Sequence, residues 1–372
     1  MKPPVDTPNK GGEPLLSVEG LSKTFHERRL FSRFRGAGVR AVDSVSFSLA
    51  AGETLGVVGE TGSGKSTLGR LVLRLVEPSA GRILFNGEDI TALSQRQIRR
   101  MRQQVQMIFQ DPYGSLDPRM SVGSIVAEPM IVHGLWHGAR DDRVLEVMRQ
   151  VGLQAEHRNR YPHEFSGGQR QRIGIARAMA LQPKLLVLDE PVSALDVSIQ
   201  AQIINLLREL QQQADLGFLF IAHDLAVVRH VSNRVAVMYL GEIVEIGPRD
   251  ALYASPMHPY TVSLLSAVPA PTVDRERGHD RVVLHGEIGS ATDLPSGCRF
   301  HPRCYKARLK AAKPDVETVD SQGERLPAVC VRHRPPPIDT GDGHVAICHF
   351  PELGEDRSQV AERAVAHSRG NG

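Results

Sequence analysis

The chain contains the sequence Gly59-Glu60-Thr61-Gly62-Ser63-Gly64-Lys65-Ser66-Thr67 directly after the apolar run Thr54–Val58. Such a run predicts a buried strand, and a helix is expected to begin near Lys65. The glycines let backbone N–H groups turn toward phosphate, and the helix adds the positive end of its dipole. The motif therefore predicts a nucleoside triphosphate site over residues 59–67, in which Lys65 reaches the β- and γ-phosphates and Ser66 binds Mg²⁺.

A second motif reads Phe165-Ser166-Gly167-Gly168-Gln169-Arg170 and precedes a helical run over residues 173–181. The serine and the glycines open this predicted helix, so its free N–H groups form a second position suited to phosphate. Pro183 ends the helical run, because proline cannot continue a helix.

Two acidic residues follow the next apolar run, which covers residues 185–188. Asp189, at the carboxyl end of the predicted strand, can hold the Mg²⁺ shell. Glu190 can orient or deprotonate the attacking water. Taken alone, two acids after a strand are also typical of an exposed turn.

The candidate functional residues follow one another along the chain in the order Lys65, Gln110, Ser166, Asp189-Glu190, Asp196 and His223. In this order the chain resembles the ATP-binding subunits of ABC transporters, roughly over residues 15–350. The resemblance implies an α/β fold: a P-loop NTPase core with an antiparallel β subdomain, a helical subdomain and a small C-terminal module. It also implies ATP and Mg²⁺ as cofactors and ATP hydrolysis as the activity.

The resemblance implies a role for each matching residue. Gln110 corresponds to the glutamine that touches Mg²⁺ and senses the permease. The resemblance implies that Gln110, Glu190 and His223 are the catalytic residues. Ser166, Gly168 and Gln169 lie in the motif that binds the γ-phosphate of ATP held by the opposite subunit.

Three further positions match the family. Asp196 resembles the end of the D-loop, Ser193–Asp196, and His223 resembles the switch histidine. Phe25 matches the aromatic residue that stacks on adenine. A histidine after a strand is otherwise a polar loop residue, and an isolated phenylalanine is otherwise part of the core.

Three segments are similar to the ATPases of oligopeptide and dipeptide importers, namely residues 109–118, 255–260 and 297–350. Of the two ATPases of such importers, the chain resembles the second. The implied partners are two transmembrane permease subunits and a similar but non-identical ATP-binding subunit. An extracytoplasmic solute-binding protein would act indirectly. The resemblance leaves the solute open, since nickel and glutathione importers share this C-terminal module.

Two other function classes share some of these sequence features. A DNA-repair or ribosome-associated ABC ATPase usually carries two cassettes in one chain or a long coiled-coil insert, and neither is evident in the sequence. A nucleotide kinase shares the phosphate loop only, and the motif at Ser166 argues against it.

Composition agrees with a soluble, intracellular protein, and the resemblance implies a peripheral position on the cytoplasmic face of the cell membrane. The 45 Lys and Arg residues nearly balance the 42 Asp and Glu residues, so no global nucleic-acid field is predicted. No apolar run approaches the length of a spanning helix, and the polar, proline-rich start does not resemble a signal peptide.

The sequence predicts a flexible tail (1–13), an ATP-binding domain (14–250) with a helical subdomain at about 95–180, a C-terminal module (251–350) and a second flexible tail (351–372). Alternating apolar residues predict antiparallel strands at Leu16, Val18, Val42, Val45, Phe47 and Leu49. Helices are predicted over 95–104 and 139–151, a loop-rich stretch over 110–130, and a hairpin turning at Leu240-Gly241.

A basic segment, residues 26–40, contains Arg28, Arg29, Arg33, Arg35 and Arg40 against the single acid Glu27. Two interpretations are open. The segment faces anionic lipid headgroups, which attract basic residues, or it is a solvated loop.

The four cysteines of the chain, Cys298, Cys304, Cys330 and Cys348, all lie near its C-terminal end. In a reducing compartment a metal is a more plausible cross-link than a disulfide. Peptide-importer ATPases of the resembled type often hold a [4Fe–4S] cluster in a similar cysteine group, although Ala311 stands where a third cysteine often falls. Four thiolates suit such a cluster or Zn²⁺, and four unliganded cysteines are the alternative.

Overall fold

The computed structural model describes residues 13–26, 38–111, 114–135, 138–267, 282, 284, 286 and 289–353. Arg28, Arg29, Arg33 and Arg35 of the predicted basic segment lie outside the described residues, as do residues 1–12 and 354–372 of the predicted tails.

The strands in the described part of the chain are β1 Leu16–Phe25, β2 Val39–Leu49, β3 Thr54–Val58, β4 Ala80–Phe85, β5 Glu88–Asp89, β6 Val105–Ile108, β7 Leu185–Asp189, β8 Gly217–Ile221, β9 Arg234–Tyr239, β10 Glu242–Pro248, β11 Thr318–Ser321, β12 Glu324–Pro327, β13 Pro337–Asp339 and β14 Val345–Ile347. The α-helices are α1 Lys65–Val72, α2 Gln95–Met101, α3 Val122–His133, α4 Arg140–Gln150, α5 Gly167–Met179, α6 Val197–Ala214, α7 Leu225–Val231, α8 Arg249–Ala254, α9 Pro259–Ser266, α10 Tyr305–Ala311 and α11 Ala328–Arg332. Short 3₁₀ helices cover Ala155–Asn159, Pro162–Glu164 and His301–Arg303.

The main sheet has the strand order β13-β14-β10-β9-β3-β8-β7-β6. Strands β9, β3, β8, β7 and β6 run parallel to one another, and β10, β14 and β13 continue the sheet in antiparallel pairs. The strands β3, β7 and β8 are buried at every residue, as expected for parallel strands covered on both faces. Because parallel strands end at one edge, the loops after β3 and β7 lie at the same edge of the sheet, with β8 between the two strands.

A smaller antiparallel sheet has the order β2-β1-β4-β5. Leu16 pairs with Leu49 and Val18 pairs with Phe47, and both pairs are buried. The predicted antiparallel strands are thus confirmed, and they cover the face of the main sheet that carries α1.

The region between β6 and β7 is mostly helical. Helix α2 begins with the predicted capping pair, in which the Ser94 N–H donates to Gln97 Oε1 at 3.0 Å. It ends at Met101, earlier than the predicted Gln104, because Arg102 to Gln104 form a turn.

The prediction of a loop-rich stretch up to Met130 was wrong in its second half. Helix α3 begins at Val122, where the Ser121 hydroxyl accepts from the Ser124 N–H. Val122, Val126 and Met130 recur at helical spacing and are buried, a periodicity that the Pro and Gly content of the stretch concealed.

The hairpin β9–β10 turns at Leu240 and Gly241 as predicted, with φ values of 43° and 83°. The buried Glu245 on β10 accepts hydrogen bonds from the Met257 N–H, the His258 N–H and the His344 ring, each at 2.8 Å. These bonds and the strand β14 attach the C-terminal region to the main sheet. The domain boundary at residue 250 stays a prediction. No helix among the described residues is both long and apolar enough to cross a bilayer.

Candidate nucleotide site

The phosphate-binding loop connects β3 to α1 at the carboxyl edge of the main sheet. Gly59 has a φ of 156° and Gly64 a φ of 103°. A Cβ atom would lie 2.1 Å from the Met238 carbonyl oxygen at Gly59, and 2.1 Å from the Ala41 carbonyl oxygen at Gly64. Glycine is therefore required at both positions by close backbone contact as well as by conformation.

Lys65 is buried at the start of α1, and its ammonium group points back into the loop. It donates to the carbonyl oxygens of Gly59 at 2.7 Å and Glu60 at 2.9 Å. Burial lowers the pKa of Lys65, while Glu190, Asp189 and Glu60 oppose this shift. The Lys65 ammonium thus lies beside the loop carbonyls, and phosphate oxygens placed there would be stronger acceptors than these carbonyl oxygens.

Asp189 ends β7 beside the first turn of α1. Its Oδ1 accepts a hydrogen bond from the Ser66 hydroxyl at 2.8 Å. Burial raises the pKa of Asp189, and the Ser66 hydrogen bond works in the opposite direction. A carboxylate and a hydroxyl oxygen in contact are suited to Mg²⁺, which prefers oxygen ligands.

Glu190 lies in a left-handed backbone conformation, with φ of 48°, and its N–H donates to the Ile221 carbonyl oxygen at 2.9 Å. Its Oε2 accepts from Gln110 Nε2 at 2.9 Å and lies 3.1 Å from His223 Nδ1. Three side chains that are distant in sequence therefore meet at one carboxylate oxygen. The strained backbone conformation turns Glu190 away from the strand direction and toward this cluster.

Ser166 caps α5, where it exchanges hydrogen bonds with Gln169 at 3.1 Å and 3.4 Å. A Cβ atom at Gly168 would lie 2.5 Å from an Ile199 methyl group. Ser166 is exposed, and its hydrogen bonds are made with Gln169 rather than with the loop at Lys65. Within one chain the structure thus does not bring the two phosphate-binding motifs together.

Phe25 ends β1, and 41% of its surface is exposed. The Lys23 ammonium lies 5.1 Å from the centre of its ring. An exposed ring is available for stacking, so the predicted adenine contact stays a prediction.

Cys298, Cys304, Cys330 and Cys348 line one small cavity, together with His258, Phe300 and Lys306. Burial raises the pKa of all four thiols, and neighbouring cysteines raise it further at Cys298, Cys330 and Cys348. Within the described residues, no three or more His, Cys, Asp or Glu side chains form a site for a metal ion. The sequence prediction of a metal centre at these residues stays a prediction.

The sequence analysis missed two residues that touch the phosphate-binding loop. Tyr260 accepts a hydrogen bond from the Glu60 N–H at 2.9 Å, and Arg303 forms an ion pair with the Glu60 carboxylate at 2.8 Å. Arg303 lies 243 residues from Glu60, so no local pattern indicates the contact.

Comparison with known proteins agrees with this geometry. Residues 42–193 match the family model described as ABC transporter, and residues 244–310 match the oligopeptide/dipeptide transporter C-terminal region. The chain is 49% identical over 344 residues to the oligopeptide transport ATP-binding protein AppF of Bacillus subtilis, covering 91% of this chain and 98% of that protein. The chain belongs to the ATP-binding subunits of ABC transporters.

Other relatives support the same assignment. A probable peptide ABC transporter ATP-binding protein of Sinorhizobium fredii is 48% identical over 338 residues, which are 91% of this chain and 90% of the relative. A component of the cbiONQ ABC transporter complex of Clostridium perfringens superposes with a TM-score of 0.58 at 28% identity, covering 65% of this chain and 92% of that one.

A dimeric ATP-binding cassette bound to ADP and Pi gives a TM-score of 0.55 at 26% identity, covering 63% of this chain and 98% of that one. The fold prediction, a P-loop ABC ATPase with α/β architecture, is confirmed. This ABC protein is an ATPase. It binds ATP, and Mg²⁺ is the usual metal of such cassettes. Its subunit class implies membrane permease partners.

Proposed function

We propose that this ABC ATPase powers the uptake of dipeptides or oligopeptides through two partner permeases. The observation that carries the proposal is the match of residues 244–310 to the C-terminal region of oligopeptide and dipeptide transporters. This region packs against the ATP site, since Arg303 and Tyr260 both contact Glu60.

The site residues have distinct proposed roles. Lys65 and the loop 59–64 hold the phosphates, and Ser66, Asp189 and Gln110 hold Mg²⁺. Glu190 orients and deprotonates the attacking water, because its Oε2 is the shared acceptor of the cluster. His223 holds that carboxylate in place, and Gln110 joins it to the metal.

Two ATP molecules are proposed to lie between two subunits, each held by Lys65 of one subunit and Ser166 of the other. The exposed position of Ser166 at the start of α5 supports this arrangement, because its side chain is accessible to a second subunit. Binding energy available only in the closed pair would drive the permeases between access states. The second subunit is proposed to be a related but non-identical ATPase.

The permeases are proposed to dock at a groove of about 680 Å³ beside the site. Its lining includes Gln110, Ser66 and Asp189, and also the exposed apolar side chains of Phe109, Leu75 and Val132. A partner segment in this groove would therefore contact Gln110, which is hydrogen-bonded to Glu190. Docking there would hold the protein at the cytoplasmic face of the membrane, the location that we propose for it.

The experiment that tests the proposal is reconstitution of the ATPase with its permeases and partner ATPase in lipid vesicles. Solute-binding proteins loaded with a dipeptide, an oligopeptide, nickel or glutathione are added, and ATP turnover is measured. We expect the peptide-loaded proteins to raise turnover several-fold, and the Glu190→Gln assembly serves as the control without hydrolysis. Stimulation by nickel or glutathione alone, or co-purification with ribosomes or DNA instead of permeases, would overturn the peptide assignment.

The four cysteines are proposed as ligands of a metal centre, either a [4Fe–4S] cluster or Zn²⁺. Support comes from the donor chemistry, since four free thiols, three of them buried, line one cavity. Such a centre would cross-link residues 298–348, a function that a disulfide does not serve in a reducing compartment.

Anaerobic purification followed by metal analysis tests this centre. Iron with sulfide and broad visible absorbance indicates the cluster, and zinc alone indicates a structural ion. Cys304→Ser is expected to lose most of the bound metal and to lower the melting temperature. Metal-free protein with four titratable thiols and unchanged stability would contradict the proposal.

A further inference from the structure

Glu60 is the residue at which the C-terminal region meets the phosphate-binding loop. Its carbonyl oxygen accepts from the Lys65 ammonium at 2.9 Å, and its N–H donates to the Tyr260 hydroxyl at 2.9 Å. Its carboxylate accepts two hydrogen bonds from Arg303, at 2.8 Å and 3.2 Å. One loop residue is thus held through its carbonyl, its amide and its side chain.

The ion pair between Arg303 and Glu60 is shielded from water. The side chains are 8% and 21% exposed, and the two-bond geometry is the strong form of an arginine–carboxylate contact. Such a pair is screened less by salt than an exposed one, so it constrains the loop under physiological conditions.

Arg303 and Tyr260 are themselves held by the main sheet. The Arg303 guanidinium lies 5.9 Å from the centre of the Tyr239 ring and 3.5 Å from its hydroxyl. The Tyr260 ring lies 4.7 Å from Tyr239 and 5.4 Å from Phe300. Tyr239 ends β9, which pairs with β3, the strand that leads into the loop. Arg303 and Tyr260, which hold Glu60, are therefore attached to the same part of the sheet as the loop itself.

The electrostatic consequence concerns the ATP phosphates. Glu60 lies within the loop that holds them, and an unpaired carboxylate there would repel a triphosphate. The Arg303 guanidinium neutralises this charge while it fixes the loop. The glycines at 59, 62 and 64 make the loop flexible on its own, which increases the effect of an external contact.

We propose that Arg303 is a positioning residue for the phosphate-binding loop, through which the C-terminal region sets the affinity for ATP. The proposal rests on the proposed ATP site. Arg303 touches no reacting atom; it acts on Glu60, and Glu60 in turn holds the Lys65 ammonium through its carbonyl oxygen. Arg303 directly precedes Cys304, so the residue whose side chain contacts the loop is the chain neighbour of a residue that lines the cysteine cavity.

Calorimetric titration of the full chain with Mg-ATP tests the proposal. Arg303→Gln is expected to weaken ATP affinity about tenfold, because groups in one hydrogen-bonded network couple by this order of magnitude. In turnover assays the KM for ATP should rise while kcat stays within about twofold, since the Glu190 cluster is untouched. Arg303→Lys keeps the charge without the two-bond geometry and should give an intermediate affinity.

The double variant Glu60→Gln/Arg303→Gln separates positioning from a structural role. Removing the unpaired carboxylate should restore most of the affinity that Arg303→Gln loses, whereas damage to the C-terminal region would not be repaired by a change in the loop. Arg332→Gln is the matched control, because it breaks an ion pair with Glu317 on the same region, 2.9 Å long and more exposed. Its ATP affinity should equal that of the unaltered protein.

Two results would overturn the proposal: unchanged ATP affinity in Arg303→Gln, or a double variant no better than the single one. If the assignment of the ATP site itself were wrong, Lys65→Ala would bind ATP as well as the unaltered protein. This result distinguishes an error in the ATP site from an error in the role of Arg303. A melting curve for each variant identifies any that fails to fold, and the intermediate affinity expected of Arg303→Lys still tests the proposal in that case.

Discussion

A Glu190→Gln variant is expected to bind ATP with normal affinity and to hydrolyse it about 10²–10⁴-fold more slowly, the usual effect of removing a positioned base. The amide cannot take a proton from water, yet it has nearly the same shape as the carboxylate. Its oxygen can still accept from Gln110, so the local structure should persist. Single-turnover release of phosphate measures the rate, and calorimetry measures the affinity.

The same variant should accumulate a closed pair of subunits, because hydrolysis is the step that opens it. Size-exclusion chromatography with ATP should then show a dimer that is absent without nucleotide. Glu209→Gln, an exposed change on α6, is the control and should turn over normally. Near-normal hydrolysis in Glu190→Gln would contradict the assignment of the base.

The contacts among the predicted nucleotide-site residues could be anticipated from the sequence, because these residues follow strands of one parallel sheet. The run Thr54–Val58 and the run ending at Asp189 are both short, apolar and followed by polar residues. Parallel strands place such loops at one edge, so the meeting of Ser66 with Asp189 follows from local patterns. Glu190 with His223 follows in the same way, since β8 lies next to β7.

Other contacts could not be predicted because they depend on how distant segments pack. The pairing of β14 with β10 and the contact of Arg303 with Glu60 join the C-terminal region to the ATP site. An arginine in a Pro- and Cys-containing stretch has no periodicity that indicates its partner. Helix α3 was missed for a different reason, since its Pro129 resembles a loop signal although it lies inside the helix.

Ser166→Arg is expected to reduce turnover to background while leaving ATP binding by the monomer unchanged. The large side chain would stand at the first turn of α5, whose N–H groups should reach the γ-phosphate of the ATP held by the other subunit. Loss of the cap costs about 1 kcal/mol, which should not unfold the protein. Steady-state hydrolysis and calorimetry of the monomer are the two measurements.

The double variant Ser166→Arg/Glu190→Gln makes the prediction sharper, because Glu190→Gln alone should trap a dimer with ATP. Adding Ser166→Arg should abolish that dimer, since the substitution blocks closure rather than hydrolysis. Ser121→Arg is the control, because Ser121 also caps a helix, and the same cap loss there should leave the trapped dimer intact. Weaker ATP binding by the Ser166→Arg monomer would instead place Ser166 at the ATP site of its own chain, and the two-subunit site would be wrong.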